Sequence, residues 1–297
     1  MKKENQLLER TQKSTPQHAD KLFRKLFHDP KRAIELCNAV VGTDYAEDTK
    51  LKLCSLDPNS ILSRYNDLAF AIADQLILMI EHQSSINPNM PLRFLPYISD
   101  TLYTQFLTDE DLYGTKKVKI PTPKFFVLYN GEAKLQKDVL RLSNSFVSKN
   151  QEFSLELTAK IIDVNHGSDC IVLKKSPHLD GYALLVSRIR NNMKQGMSRD
   201  QAIIKAMDSS IEEKGILAEF LDKNYREVVK MLSYEYDRDT EMKVLKREAR
   251  EEGREEGKEA GIIQVAKNLL QLGLPIEQIT QATGLSKEEI LRIQNEQ

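Results

Sequence analysis

The residues whose types and spacing could do chemistry are Asp67 and the run Glu81-His82-Gln83. Side chains alternate along a strand, so Glu81 and Gln83 share one face while Ile80 and His82 take the other. Asp67 lies beside them if the two segments pair as a hairpin. Two carboxylates converging where strands leave an apolar core form an oxygen-ligand site suited to Mg²⁺. Such an ion can hold a phosphate oxygen, lower the pKa of a bound water and neutralise developing charge. Nothing in this arrangement requires a nucleophilic side chain. A plainer reading stands beside it: Asp67 starts a strand, and Glu81 is the first exposed residue after a buried run.

Rival chemistries find little support. The five histidines (His18, His28, His82, His166 and His178) show no ligand spacing such as HxxxH. No GxxxxGK[ST] or GxGxxG is present, so no nucleotide cofactor is expected. Three scattered cysteines make neither a disulfide framework nor a CxxC zinc site. Lys+Arg 43 against Asp+Glu 44 excludes a generic polybasic binder. Residues 1–150 carry 21 basic and 18 acidic side chains, which permits a nucleic-acid partner there without arguing for one. The longest apolar run, residues 68–73, is far short of the roughly 20 residues of a membrane span. No apolar stretch follows the basic start, so a soluble, cytoplasmic protein with reduced thiols is expected.

The elements that must position these residues can be read from the hydrophobic period. Residues 1–18 are polar and aperiodic, a loose arm. From Asp20, apolar spacings of three and four describe helix, interrupted at Asp29-Pro30 and ended at Gly42. Leu51, Leu53 and Leu56 precede a turn signal at Asp57-Pro58-Asn59-Ser60. NDLAFAIAD and QLILMIEHQ then read as adjacent strands joined around Asp74-Gln75, the second apolar on both faces as a central strand is. A helix carrying Leu92, Leu95, Ile98, Leu102 and Phe106 follows, with Pro96 kinking its first turns. Next come a solvated loop at residues 109–111, a buried strand in KFFVLYNG, a strand over residues 157–164 and a candidate strand at CIVL (170–173).

At these residues a resemblance becomes specific. The segment from Ser63 to Ile98 resembles the core of the PD-(D/E)XK nuclease superfamily. The branch is that of recombination-promoting nucleases and transposases known as Rpn-type or YhgA-like. The superfamily pattern, an acid on one strand and acid-x-lysine on the next, reads here as Asp67, then Glu81-x-Gln83. Glutamine can orient a water by hydrogen bonds but cannot supply a lysine's charge; in this branch glutamine is the usual residue. Asp20 to Lys25 resembles the branch's opening helix, and Glu81 to Ser85, Met90 to Arg93 and Tyr97 its site strand and following helix. Val127 to Gly131 resembles a later strand, and the glycine-charge repeat and the tail carrying Ala282-Thr283-Gly284-Leu285-Ser286 resemble the family's C-terminal region.

The resemblance implies a restriction-endonuclease-like α/β fold, a mixed central sheet flanked by helices, with an all-α C-terminal region. It implies a Mg²⁺-dependent DNA endonuclease acting on double-stranded DNA through metal-activated water. Asp67 and Glu81 would hold the metal, with the His82 backbone carbonyl and Asp20 as further ligands, and Gln83 the water. Lys25, Arg93 and Tyr97 are candidate DNA-backbone contacts, and Asp20 reads equally as an N-cap. The alternative is a catalytically inactive nuclease-like scaffold that binds DNA or a protein partner.

The expected organisation is an arm (1–18), a nuclease-like domain (19–178), a helical region (179–240), a charged glycine-repeat helix or connector (241–261) and a small helical module (262–297). Gly253, Gly257 and Gly261 recur every fourth residue among charges of both signs. Either they let two helices approach closely, as in a homodimer, or they belong to a solvated connector. The module resembles a helix-turn-helix. Its second helix opens Lys287-Glu288-Glu289, acids that oppose phosphate, which favours an interaction module over a groove reader.

Overall fold

The computed structural model describes residues 21–54, 68–148 and 152–295. The readings made for residues 1–18, Asp20, residues 57–60 and Asp67 lie outside them. Helices α1 (Lys21–Phe27) and α2 (Pro30–Val41) are separated by Asp29, whose carboxylate accepts from the Arg32 amide at 3.1 Å as the N-cap of α2. Pro30 fills the first turn, and Gly42, at φ +79°, closes the helix in the left-handed conformation.

The strands are β1 (Leu51–Leu53), β2 (Leu68–Ile72), β3 (Leu76–Gln83), β4 (Thr122–Tyr129), β5 (Val139–Arg141) and β6 (Thr158–Asp163), in the order β1-β2-β3-β4-β6-β5. β1–β2, β2–β3 and β5–β6 pair antiparallel, whereas β3–β4 and β4–β6 pair parallel. The expected hairpin is present. Leu68 pairs with Ile80 and Ile72 with Leu76, around a three-residue connection in which Ala73 and Asp74 both take positive φ and the Gln75 amide donates to the Ile72 carbonyl at 3.0 Å, closing a tight turn. β2 and the apolar part of β3 are buried on both faces, the mark of strands inside a covered sheet. The crossover from β3 to its parallel neighbour β4 runs through α3 (Met90–Gln105) and α4 (Asp109–Tyr113).

α3 covers one face of the sheet. Its Met90, Phe94, Tyr97 and Ile98 join Ala69, Ala71, Ile77, Met79, Phe125, Val127 and Ile161 in one apolar cluster. On the other face, Phe23 of α1 and Tyr182 of α6 (Pro177–Lys194) meet the ring of His82. The carboxylate of Glu35 fastens α2 to the start of α6. It accepts from Ser176 Oγ at 2.6 Å and the His178 amide at 3.1 Å, and its other oxygen lies 2.7 Å from His178 Nδ1. The chain is therefore mixed α/β with helices on both faces of its sheet, as expected.

Two local readings are corrected. CIVL belongs to a helix, α5 (Ile171–Lys175), not a strand; a four-residue apolar run has no period to decide between them, and β6 already has a neighbour on each side. Residues 109–111 open helix α4, because Thr108 and Asp111 form a reciprocal capping box.

After α6 come α7 (Arg199–Glu212), α8 (Ala218–Lys223), the long α9 (Tyr225–Gln271), α10 (Ile276–Thr283) and α11 (Lys287–Asn295). The chain forms two compact units, residues 1–235 and 236–297. In the second unit Ala266, Ile279, Ile290 and Ile293 form a small apolar core. The glycine repeat lies within α9 and is helical. Among the described residues no helix is long and apolar enough to cross a membrane.

Candidate active site

β3 carries the site because its apolar half anchors it in the sheet and its polar end emerges beside α3. The pleat puts Ile77, Met79, Glu81 and Gln83 on the α3 face and His82 on the other. Glu81 is only 2% exposed. Its Oε2 accepts from Arg93 Nη2 at 2.9 Å, and Arg93, one turn into α3, is itself largely covered. Glu81 Oε1 is buried and has no hydrogen-bond partner among the described residues. Burial pushes the Glu81 carboxyl up to about 7, while the charges of Arg93 and Arg24 pull it back down.

Gln83 stands two residues on, pointing the same way. Its amide is satisfied at both ends when the oxygen accepts from Arg93 Nη1 at 3.2 Å and the nitrogen donates to the Ser85 carbonyl at 3.2 Å. One guanidinium therefore bridges the two site residues of β3. Beside it, Met90 places its sulfur 3.6 Å from Arg93 Nη1.

The remaining expected residues are distributed unevenly. Asp67 lies outside the described residues, where the pairing of β2 with β3 begins at Leu68 opposite Ile80. His82 turns its ring away and stacks on Phe23, centroids 4.9 Å apart, with Tyr182 edge-on at 5.1 Å. Lys25 forms an ion pair with Glu227 at 2.5 Å. Tyr97, expected as a backbone contact beside Arg93, is 1% exposed and belongs to the apolar cluster, so it has no surface to offer a phosphate. A helical spacing of four brings two side chains near one another but does not say which faces the core.

Two features escape sequence reasoning: the influence of Arg24 on Glu81, and a cavity whose lining includes neither Glu81 nor Gln83. Arg24 lies within the segment Asp20 to Lys25, yet only the fold brings its charge to bear on Glu81. Past the ends of β4 and β6 lies a cavity of about 130 Å³ lined by Asn130, Asn165, His166, Ser187, Arg190 and Lys194. Arg190 there donates to the Asn130 carbonyl. Nothing local marks a contact spanning 60 residues.

No three His, Cys, Asp or Glu residues converge as a metal cluster among the described residues. What fits a hard cation is the orphaned Glu81 Oε1, and Mg²⁺ takes one or two carboxylates while keeping several waters.

In the second unit, α10 and α11 are joined by a turn at Gly284, φ +75°. Glu289, counted above against a phosphate partner, is engaged locally: its Oε2 accepts from the Ser286 amide and hydroxyl, both at 2.8 Å. These bonds hold its carboxyl below the usual range. Lys287 pairs with Glu277 at 2.8 Å.

Residues 17–214 match the family model described as "Putative transposase, YhgA-like". Residues 259–295 match that of the C-terminal HTH domain of the Rpn/YhgA-like nuclease family, so the helix-turn-helix reading of the tail outweighs the interaction-module one. No curated protein and no solved structure matches the chain.

Proposed function

The chain belongs to the Rpn/YhgA-like nuclease family, and from that premise we propose that it is a metal-dependent DNA endonuclease with a PD-(D/E)XK-type site. One observation carries the reading: a buried acid at the polar end of the central strand leaves one oxygen without a partner. Burial without a partner is costly, and a site that keeps such an atom has a use for it.

Glu81 Oε1 and Asp67 would hold a Mg²⁺ ion, with the His82 carbonyl and Asp20 as further ligands. The ion, when bound, supplies Lewis-acid stabilisation and a water of lowered pKa. Gln83 orients that water through its amide. Arg93 pairs with Glu81 beside the oxygen left for the metal. The helix-turn-helix of residues 259–295 supplies binding to double-stranded DNA.

Incubating supercoiled plasmid with the purified protein tests this, with Mg²⁺, with EDTA, and with Glu81→Ala and Asp67→Ala alongside. Nicked or linear product should appear only for the unmodified chain with metal. Product from either variant would put the site elsewhere. Intact plasmid in every lane, with DNA retained on the protein, would favour a non-cleaving DNA-binding scaffold instead.

A further inference from the structure

We infer that Arg93 is the positioning residue of the site: it grips Glu81 by Oε2, so that Oε1 is the oxygen presented to the metal, and it fixes Gln83 through its other amine. The inference rests on the metal-dependent reading above and adds a residue through which that site is assembled.

The geometry is specific. A carboxylate on a strand has free rotation about its last bonds unless something holds it, and buried Glu81 is held at one oxygen only, 2.9 Å from Nη2. With the Gln83 amide turned so that its oxygen faces Arg93, the second amine, Nη1, meets that oxygen at 3.2 Å. A planar guanidinium can reach two acceptors at once with fixed spacing, which an ammonium cannot. Arg93 itself comes from the first turn of α3, whose Phe94 and Ile98 are locked in the core. Its anchor is thus independent of the strand it serves. Groups that orient a metal ligand in this way typically govern affinity by about 10–100-fold.

A competing account makes a different prediction for the variant that keeps the charge. If Arg93 acted only as a nearby positive charge, Arg93→Lys would bind the metal as the unmodified chain does. If it positions Glu81 and Gln83, Arg93→Lys weakens binding.

The decisive experiment titrates the full, DNA-free chain with Mn²⁺ and reads the free ion by its EPR signal. Thermal unfolding of each variant confirms that it folds. The unmodified chain should bind Mn²⁺ and Glu81→Gln should lose it. Arg93→Met should weaken it by about 10–100-fold, and Arg93→Lys, which keeps the charge but reaches only one partner, by an intermediate factor. Unchanged or tighter binding in folded Arg93→Met overturns the inference and leaves the nuclease reading standing. Should Arg93→Met fail to fold, Arg93→Lys decides, and wild-type affinity in that variant overturns the inference equally. If the unmodified chain binds no Mn²⁺, the metal site and this role for Arg93 fall together.

Discussion

Glu81 combines two opposed influences: burial favours its neutral form, and the neighbouring guanidinium favours its charged one. Burial is the larger, so the folded chain holds this proton up to about pH 7, against an ordinary carboxyl value of 4.5. Between those two values the folded state binds more protons than the unfolded state, so stability falls as pH rises through that window. The contribution is present below about pH 4.5 and gone above about 7, and it amounts to about 3 kcal/mol at most. Glu81→Gln cannot titrate and should flatten that part of the profile. Urea unfolding of both chains at pH 5 and pH 8 measures it. An identical pH dependence in the two would mean that Arg93 keeps Glu81 ionised throughout.

The polar ends of β3 and β4 fit together so tightly that glycine is required between them. A Cβ at Gly131 would lie 2.1 Å from the Ser84 carbonyl oxygen and 2.4 Å from the Tyr129 hydroxyl. The first of these is backbone directly following Gln83, so it cannot yield without moving the site. Gly131→Ala should therefore destabilise the chain by about 1–3 kcal/mol or more, seen as a lowered melting temperature, and should impair cleavage beyond the loss of folded protein. That Asn130-Gly131 closes a strand is legible in the sequence, as are the β2–β3 hairpin, the helix break at Asp29-Pro30 and the helix end at Gly42, because each has a local chemical cause. The clash at Gly131 is not, since Ser84 is distant in the chain. Arg93 is legible as a candidate DNA-backbone contact, not as the partner of Glu81. Its bond to Glu81 depends on how α3 lies across the sheet, and neither period nor motif states that. The same limit misplaced Tyr97 and turned the CIVL run into a strand: where a segment is short, tertiary packing decides.

At the scale of the whole chain, the two compact units carry the two family-model matches separately. The first contains the sheet and Glu81, and the second contains the helix-turn-helix. The glycine repeat sits in α9, and its purpose turns on whether a second chain meets it. An added Cβ at Gly257 or Gly261 would meet nothing within 4 Å. Glu251, Arg254 and Lys258 around it are exposed. In an exposed helix each glycine costs about 1 kcal/mol relative to alanine. The pair Gly257→Ala and Gly261→Ala should accordingly raise helicity and thermal stability while leaving the mass in solution unchanged, as circular dichroism and light scattering would report. A homodimer packed through this stripe predicts the reverse, because each new methyl group would stand between two backbones. A fall from dimer to monomer in the double variant would assign the stripe to an interface; a more helical chain of unaltered mass would leave it a solvated helix face.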